Sequence, residues 1–356
     1  MNGQRALWAS TSTATRGGVA TYVRAIQGVP LWRDWNIRHI STHRDGGPAA
    51  KAMAFARGSV EFVVALVTFR PDVVHLHSSA GASFARKAIL LWLSWVARVP
   101  VVLHIHGSDF QLFYDDSPRA VQWVIRGTLD HAGAVVALGD DWSRRLQSIA
   151  PHARISVIPN AIQSADRIVQ PVPGGPVHVV FLGRIGDRKG TFRLLDAWAD
   201  MLEHSDSDRE CRLTIAGDGE VERARRRVAE LRISDSVAVR EWLSSTEVAA
   251  LLDCAHVLAL PSRNEGQPMA VLEAMARGLC VVASDAGGIP EMIDGGCGVV
   301  TSADDVAAIS AALRLVVHDD ETRARLGAAA FERFHERFDV DVVSRRIDAL
   351  YREVLR

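Results

Sequence analysis

Short apolar runs alternate with amphipathic helical patterns along the chain. In the first half, the runs that predict strands are Arg5–Ala9, Asp72–His77, Val101–His106, Ala134–Ala137 and Ile155–Ile158. In the second half they are Val177–Leu182, Arg212–Ala216, Val237–Arg240, Val257–Leu260, Cys280–Ala283 and Gly298–Val300. Helical patterns lie between these runs, as at Ala20–Gln27 and Ala82–Ala97. Strands that alternate with helices favour parallel sheets covered by helices, so the pattern predicts an α/β protein.

Two polar pairs predict helix starts in the second half. Ser244 and Glu247 have the spacing of a capping box, in which each side chain accepts a hydrogen bond from the other residue's backbone. Ser302 and Asp305 have the same spacing and predict a second such start.

A segment rich in proline and glycine separates two similar halves. At 356 residues the chain is long enough for two domains. We predict a first domain over residues 1–163, a linker over 164–176 and a second domain over 177–338. Two α/β halves joined by one linker predict a cleft between the carboxyl ends of their strands, where ligands of such sheets bind.

Charge is unevenly distributed along the chain. Residues 1–170 contain 18 Lys and Arg against 11 Asp and Glu, a balance of +7, and the rest contains 23 against 31, a balance of −8. The basic half is either a surface for anionic lipid or an anionic acceptor, or an ordinary solvated surface. Hydrophobic residues make up 48% and charged residues 23%, which is typical of a soluble globular protein.

The apolar run Ala88–Ala97 is far shorter than the roughly 20 residues that span a bilayer. It contains Trp92 and Trp95 and has basic flanks, so it predicts either a helix lying on a membrane or a buried helix.

Met1–Ser10 lacks the apolar run of a signal peptide. The four cysteines form no C-x-x-C pair, which indicates a reducing compartment. We expect a cytoplasmic protein, with peripheral contact at the inner membrane face as the alternative.

The most informative motif is N-E-G-Q-P-M-A-V-L-E-A-M-A-R-G at residues 264–278. Pro268 suits the first position of a helix and Gly278 suits its end. Glu265 then lies in the loop before the helix, and Glu273 lies inside it. Backbone N–H groups at the helix start favour an anion, and the carboxylates can accept hydrogen bonds from sugar hydroxyls. The motif therefore predicts a nucleotide-sugar site.

A second motif, G-R-I-G-D-R-K-G at residues 183–190, follows a predicted strand directly. Cations beside glycines at the carboxyl end of a strand suit a phosphate, although the spacing is not that of a P-loop. Exposed basic residues in a turn are the alternative. The cations and the helix start at Pro268 would converge on one diphosphate.

Three other patterns leave their function open. His75, His77, His104 and His106 form two H-x-H pairs, each on one face of a strand, which suit structural roles, a metal site or substrate contact. The turn Ala216–Glu220 begins like a dinucleotide fingerprint but has Glu222 where the third glycine belongs. Asp206-Ser207-Asp208 has the D-x-D form of some metal sites, but its polar surroundings favour a solvated loop.

The Glu265–Glu273 motif is similar to the E-x7-E signature of family-4 retaining glycosyltransferases, and G-R-x4-K-G occurs in the same family. Weaker matches are Gly17–Gly18, His106 and Val157–Asn160. The resemblance implies a GT-B fold, with two Rossmann-like domains facing an interdomain cleft and a C-terminal helix over 339–356 that crosses back to the first domain. It implies transfer of a sugar from a nucleoside diphosphate to a hydroxyl of a glycan, a lipid-linked or a small-molecule acceptor, with retention and without metal or other cofactor.

The resemblance also implies residue roles. Arg184 and Lys189 would stabilise the departing diphosphate, Glu265 would bind the sugar, and Glu273 would bind the ribose. His106 would lie near the donor sugar. Apart from the resemblance, we expect His77 and Asp109, at or just after the ends of two predicted strands, to lie near the acceptor. The remaining donor-binding candidates are Gly17, Gly18, Gly183, Gly217, Trp242, Gly266, Gln267, Pro268, Met269 and Ala270. Gln267 departs from the apolar residue usual in the family, which bears on the choice of sugar.

Three other functions remain as alternatives. Two doubly wound halves with a partial G-x-G fit an NAD-dependent oxidoreductase. The H-x-H pairs fit a metal hydrolase, and the nucleotide-sugar motifs also fit a non-catalytic binding protein. No pattern predicts binding to nucleic acid, and none identifies the donor base, the sugar or the acceptor.

Overall fold

The computed structural model describes residues 3–168, 170–205 and 209–356. The D-x-D sequence at Asp206–Asp208, which we predict to be a solvated loop, lies outside the described residues. The chain forms two compact units: unit 1 comprises Met1–Gln163 and Val340–Arg356, and unit 2 comprises Ser164–Asp339. Each unit is a parallel sheet with helices on both faces, and the α/β prediction is therefore confirmed.

Unit 1 contains a parallel sheet of six strands in the order β2-β1-β3-β4-β5-β6. Its strands are β1 (Ala6–Ser10), β2 (Arg38–Ser41), β3 (Val73–Ser78), β4 (Val101–Ile105), β5 (Ala134–Ala137) and β6 (Ile155–Val157). All except β2 were predicted from their apolar runs. The sequence of β2 is R-H-I-S, in which only Ile40 is buried, because an edge strand next to β1 needs little apolar surface.

The helices of unit 1 are α1 (Gly18–Gln27), α2 (Pro30–Asp34), α3 (Pro48–Thr68), α4 (Ala82–Val96), α5 (Phe110–Asp115), α6 (Arg119–Asp130), α7 (Asp140–Ile149) and α15 (Val340–Val354). They cover both faces of the sheet, and each face has its own apolar core. One core contains Phe62, Leu90 and Phe110. The other contains Trp8 and Tyr351, so α15 belongs to the core of unit 1. The indole of Trp8 donates a hydrogen bond of 2.8 Å to the hydroxyl of Tyr351.

Unit 2 contains a parallel sheet in the order β12-β11-β10-β7-β8-β9. Its strands are β7 (Val177–Leu182), β8 (Cys211–Ala216), β9 (Val237–Arg240), β10 (Val257–Leu260), β11 (Cys280–Ser284) and β12 (Val299–Thr301). Its helices are α8 (Thr191–Glu203), α9 (Val221–Glu230), α10 (Ser245–Asp253), α11 (Met269–Met275), α12 (Ile289–Ile293), α13 (Val306–His318) and α14 (Asp320–Arg337). Every residue of β7 is buried, as expected for a strand covered on both faces.

The helix starts test three predictions. The capping box of Ser244 and Glu247 is confirmed: the Ser244 hydroxyl accepts from the Glu247 N–H, and the Glu247 carboxylate accepts from the Ser244 N–H at 2.8 Å. The prediction of a start at Ser302 is wrong. Asp305 caps α13 itself, by accepting from the backbone N–H of Ala308 at 2.9 Å, because a carboxylate caps as well as a hydroxyl.

The third predicted helix start is one residue too early. Pro268 is the cap of α11 and not its first residue, which is Met269. The predicted stop at Gly278 is confirmed. Gly278 has a φ of 72°. The Leu279 N–H reaches the Ala274 carbonyl at 3.0 Å, as in a Schellman motif. Among the described residues, no helix has the length and apolar character that crossing a bilayer requires.

Candidate active site

The strand order of unit 2 reverses between β7 and β10, and ligands of open parallel sheets bind outside the carboxyl ends of the strands at such a point. The two loops that leave these strands are Gly183–Gly190 and residues 261–268. The first carries the predicted phosphate-binding cations, and the second carries Glu265. The topology therefore brings the two sequence motifs to one edge of one sheet.

The two loops are in direct backbone contact. The Arg263 N–H donates to the Arg188 carbonyl at 2.9 Å, and the Arg188 guanidinium donates to the Asn264 carbonyl at 3.1 Å. Gly190 has a φ of 74°, and a Cβ at this position would lie 1.9 Å from the Pro261 carbonyl oxygen. Only glycine fits there, so the second glycine of G-R-x4-K-G is explained by loop packing.

Lys189 and Glu265 form an ion pair at the centre of this arrangement. Their side chains are 16% and 7% exposed, so solvent screens the pair less than it screens a surface pair. A third loop supports Glu265 from behind, since a Cβ on Gly287 would lie 1.7 Å from the Glu265 carbonyl oxygen. The stretch from Ala283 to Glu291 contains the end of β11, this loop and the start of α12.

Arg184 lies in the same loop as Lys189, but its side chain is exposed. With the described residues its guanidinium forms no hydrogen bond or ion pair. Its Cγ would be 3.1 Å from a Cβ added at Gly219, so the loop after β8 limits the position of its stem. The charge of Arg184 is therefore available to an anion at the carboxyl edge of the sheet.

The loop after β8 fits closely against the loop after β7. A Cβ at Gly217 would lie 1.8 Å from the Gly183 carbonyl oxygen, and the Ile185 N–H donates to the Asp218 carbonyl at 2.6 Å. Packing alone thus explains the glycine at 217. Trp242 follows β9, the next strand along, and is 43% exposed. Gly183, Gly217 and Trp242 therefore follow three adjacent strands at the same edge.

The remaining predicted residues of unit 2 surround the start of α11. Gly266 and Gln267 are buried before the helix, and Met269 and Ala270 are half-buried in its first turn. The Gly266 carbonyl accepts from the Gly288 N–H at 2.9 Å, which fixes the approach to the helix. Glu273 is the fifth residue of α11 and is half-buried.

In unit 1, the predicted glycines lie at the start of α1. Gly17 caps this helix with a φ of 122°, a conformation that favours glycine, and an added Cβ would meet no atom within 4 Å. The space beside Gly17 is therefore open within the described structure. Asp109 caps α5, in the loop that follows β4.

His106 also follows β4, and it belongs to a ladder of histidines. Its Nδ1 lies 3.0 Å from the Asn160 Oδ1, and its Nε2 lies 3.0 Å from the His77 Nδ1. His77 is only 2% exposed, so it contacts the His106 ring from the buried side of that ring within unit 1. Burial lowers the pKa of His106 to about 4, although the hydrogen bond that its Nδ1–H donates to the Asn160 Oδ1 acts to raise the pKa. His106 is therefore neutral at pH 7.

The ladder also includes the only group of three potential metal ligands found among the described residues. One ring nitrogen from each of His75, His77 and His104 lies within 4.8 Å of the others, and all three rings are buried. Tetrahedral zinc holds nitrogens about 3.3 Å apart, so the rings would have to move closer to bind it. The geometry permits a metal ion without requiring one.

Asn160 is a residue whose role the sequence motifs did not assign. It is 5% exposed and orients the His106 ring. The only indication in the sequence was the resemblance of Val157–Asn160 to the family. That resemblance placed Asn160 at the end of a predicted strand but did not show which side chain it contacts. Gly287 likewise belongs to none of the motifs discussed above, although it supports Glu265. Both contacts join residues that are distant in the sequence.

Comparison with known proteins covers both units. The family model for "Glycosyl transferases group 1" matches residues 163–333, and the model for "Glycosyl transferase 4-like domain" matches residues 5–161. A D-inositol 3-phosphate glycosyltransferase of Corynebacterium diphtheriae is 33% identical over 193 residues, which are 52% of this chain and 45% of that relative. The chain thus spans less than half the length of this curated relative.

Solved structures with the same fold cover the chain almost completely. Sucrose-phosphate synthase from Thermosynechococcus elongatus has a TM-score of 0.78 at 18% identity, over 99% of each chain. The Anabaena protein HepE, in complex with UDP-glucose, has a TM-score of 0.77 at 17% identity, over 98% of this chain and 99% of its own. At these identities the likeness shows the fold. Since the two family models together match nearly the whole chain, the protein belongs to the family-4 glycosyltransferases of the GT-B fold.

Proposed function

We propose that the protein transfers a sugar from a nucleoside diphosphate to an acceptor hydroxyl, with retention at the anomeric carbon and without a metal ion. The main support is the ion pair between Lys189 and Glu265, which lies where the strand order of unit 2 reverses. Family membership supports sugar transfer. The UDP-glucose complex of a protein with the same fold supports a nucleotide-sugar donor.

The bond from sugar to diphosphate breaks in this reaction, so negative charge develops on the diphosphate. Arg184 has an exposed guanidinium, and Lys189 lies five residues further along the same loop. Together they can take the place of the metal ion that neutralises the leaving group in other transferases. The amino end of α11 adds backbone N–H groups on the side of Glu265.

Lys189 has a further role in this proposal, because an ammonium group has three donors. One donor is used by the Glu265 carboxylate. The others remain for diphosphate oxygens, so the same side chain links the sugar-binding carboxylate to the leaving group. Glu265 accepts a hydrogen bond from a sugar hydroxyl, Glu273 binds the ribose, and Gln267 contributes to the choice of sugar.

His106 acts on the donor sugar by position and not by charge. Because burial lowers its pKa to about 4, it is a weak base and stays neutral at pH 7. Asn160 and His77 hold the ring in one orientation and engage both of its nitrogens, so a hydrogen bond to a sugar hydroxyl has to replace the one between the His106 Nε2 and His77. We assign no covalent nucleophile, and the proposal leaves the acceptor to be identified.

A donor screen followed by product analysis tests the proposal. UDP-, GDP- and ADP-sugars are compared by thermal shift, and the stabilising donor is then incubated with candidate acceptors. The proposal expects a glycoside whose anomeric configuration by NMR matches that of the donor. A stabilising donor with no product from any acceptor class would favour the non-catalytic binding protein, and an inverted product would exclude retention.

Metal independence has its own test. We expect the same rate after dialysis against EDTA as before it, because the predicted charge-neutralising groups are side chains and backbone. Loss of activity that added Zn²⁺ restores would contradict this part of the proposal and would direct attention to His75, His77 and His104.

A further inference from the structure

One face of unit 1 carries an unusual concentration of exposed apolar side chains. Thirteen of the eighteen large apolar side chains that are exposed in the described part of the chain lie on α3, α4, α5 and α6. They are Met53, Val60, Val63, Val64 and Val67 on α3, Ile89, Leu93, Trp95 and Val96 on α4, Leu112 on α5, and Val121, Trp123 and Val124 on α6. We call this set the apolar face.

These residues form stripes, and the helices that carry them adjoin one another. On α3 the exposed positions 60, 63, 64 and 67 follow helical spacing, whereas Phe62 and Ala65 are buried against the sheet. On α4 the exposed positions 89, 93 and 96 do the same, whereas Leu90 and Leu91 are buried. Helix α3 packs against α4, and α4 packs against α6. A surface helix that is apolar on both sides needs a second apolar environment besides its own core.

Two tryptophans indicate what kind of environment this is. Trp95 is 53% exposed and Trp123 is 71% exposed. Tryptophan combines a large apolar ring with one polar N–H group and is enriched at the boundary between lipid and water. Val96 beside Trp95 is 74% exposed, so the ring does not stand alone on a polar surface.

The charges around the apolar face are predominantly positive. On α3, α4, α6 and the residues that end them, the solvent-accessible cations are Lys51, Arg57, Arg70, Arg86, Arg98, Arg119 and Arg126. The carboxylates on the same segments are Glu61 and Asp130, so the balance is seven against two. Helix α5 ends in Asp115 and is followed by Asp116, so the cationic part of the face is α3, α4 and α6.

We propose that the apolar face docks on the surface of an anionic phospholipid bilayer. The apolar stripes and tryptophans would enter the boundary between headgroups and acyl chains, and the cations would contact lipid phosphates. A second copy of this chain fits less well, because a two-fold interface would place this cationic surface against itself. The proposal concerns a surface on helices of unit 1 and does not depend on the transfer chemistry in unit 2.

The test is vesicle flotation with the full chain and no sugar donor. We expect binding to mixed phosphatidylcholine–phosphatidylglycerol vesicles, much weaker binding to phosphatidylcholine alone, and a decrease as salt is raised. Each cation near an anionic surface is worth about 1 kcal/mol, or roughly fivefold in partitioning, so K51Q/R119Q/R126Q should bind about a hundredfold less. These three side chains are exposed and form no hydrogen bond or ion pair with the described residues, so the variant should keep its fold.

A second variant tests the apolar part of the surface. Trp95→Ser combined with Trp123→Ser should lower binding at least tenfold and reduce the quenching of fluorescence by brominated lipids. Leu315→Ser and Arg226→Gln, which remove an exposed leucine from α13 and an exposed arginine from α9 of unit 2, are the matched controls and should bind as the parent does. Thermal unfolding checks that each variant is folded.

Three results would overturn the proposal. The first is a parent chain that does not float with anionic vesicles. The second is unchanged binding of both multiple variants. The third is a dimer in solution, seen by light scattering, that the tryptophan variant converts to monomer. Because no donor is present, these outcomes are separate from success or failure of the proposed sugar transfer.

Discussion

At the scale of single residues, one ion pair joins the two motifs that carry the proposed chemistry. Lys189 and Glu265 are 76 positions apart in the chain. Lys189 has the positive charge that a diphosphate requires, and Glu265 has the acceptor oxygens that a sugar hydroxyl requires. Of the two cations predicted to bind the diphosphate, the pairing leaves Arg184 as the exposed one. The two cations should therefore contribute in different ways: Arg184 to the diphosphate alone, and Lys189 also to the position of Glu265.

Arg184→Ala and Lys189→Ala should each lower kcat by about 10²–10³, because each removes a charge that stabilises the leaving diphosphate. Steady-state kinetics with the donor found in the screen measures this. Arg226→Ala is the control, since Arg226 is an exposed cation on α9 outside the loops of the site. A variant at either position with the parent kcat would remove that residue from the proposed mechanism.

The stability of unit 2 should depend on pH in part through His178. Burial lowers the pKa of this imidazole to about 4, and the positive charge of Arg212 adds to the effect. The unfolded chain binds the proton near pH 6.5, whereas the folded chain does not bind it until about pH 4. The free energy of unfolding therefore has its full value above pH 6.5. It decreases as pH falls toward 4, by up to about 1.4 kcal/mol per pH unit.

Urea unfolding at pH 7 and pH 5 measures this dependence, with hydrogen exchange of the β7 and β8 amides to report on unit 2. His178→Asn should reduce the change between the two pH values and leave the part due to His256, whose pKa burial also lowers to about 4. His152→Asn, at an exposed position of unit 1, is the control. An unaltered pH dependence in His178→Asn would show that another group is responsible.

At the scale of elements, the site is made by loops that touch through their backbones. Glycines at 190, 217 and 287 each lie where a Cβ would overlap a carbonyl oxygen of a neighbouring loop. The loops after β7, β8, β10 and β11 therefore support one another. A rigid set of loops holds charged side chains in place before the ligand arrives, which favours electrostatic stabilisation.

Gly217→Ala should destabilise unit 2 by about 2 kcal/mol or more, because its Cβ would lie 1.8 Å from the Gly183 carbonyl oxygen and the two loops would have to separate. Thermal unfolding and the donor KM should change together. Gly47→Ala is the control, since an added Cβ there meets no atom within 4 Å and the φ of −70° suits alanine. Equal stability of the two variants would contradict the close contact.

At the scale of the whole molecule, the segment Val340–Arg356 follows unit 2 in the sequence but belongs to unit 1. Helix α15 contributes Val343, Ile347, Leu350 and Tyr351 to the same core as Trp8. Tyr351 is fully buried and also lies within hydrogen-bonding distance of His75. Unit 1 is therefore formed by two separate segments of the chain, and its core is incomplete without α15.

Deletion of residues 340–356 should prevent cooperative unfolding of unit 1, because it removes a buried helix and exposes the apolar side chains beneath it. Near-ultraviolet circular dichroism and hydrogen exchange of β1 and β3 measure the loss. Deletion of Leu355 and Arg356 alone is the control, because these residues follow α15 and are exposed. A folded, cooperative unit 1 without α15 would disprove its structural role.

Much of the architecture follows from sequence periodicity. The apolar runs predicted eleven strands, and each lies within about a residue of an observed one, because a strand buried on both faces must be apolar throughout. The edge strand β2 was not predicted, because its R-H-I-S sequence buries a single side chain and shows no apolar run. The capping box at Ser244 was predictable because both partners lie within one turn, whereas Ser302 was not distinguishable from Asp305 as a cap.

The candidate site could be proposed from residue types in the sequence, but its contacts could not. Two charged motifs, each following a strand, indicated a diphosphate-sugar ligand from the sequence. The pairing of Lys189 with Glu265, the support of Glu265 by Gly287 and the orientation of His106 by Asn160 depended on strand order and loop packing. Local sequence specifies backbone conformation and side-chain chemistry. Contacts between distant residues arise only when the sheet order places their loops side by side, and that order is a property of the folded chain.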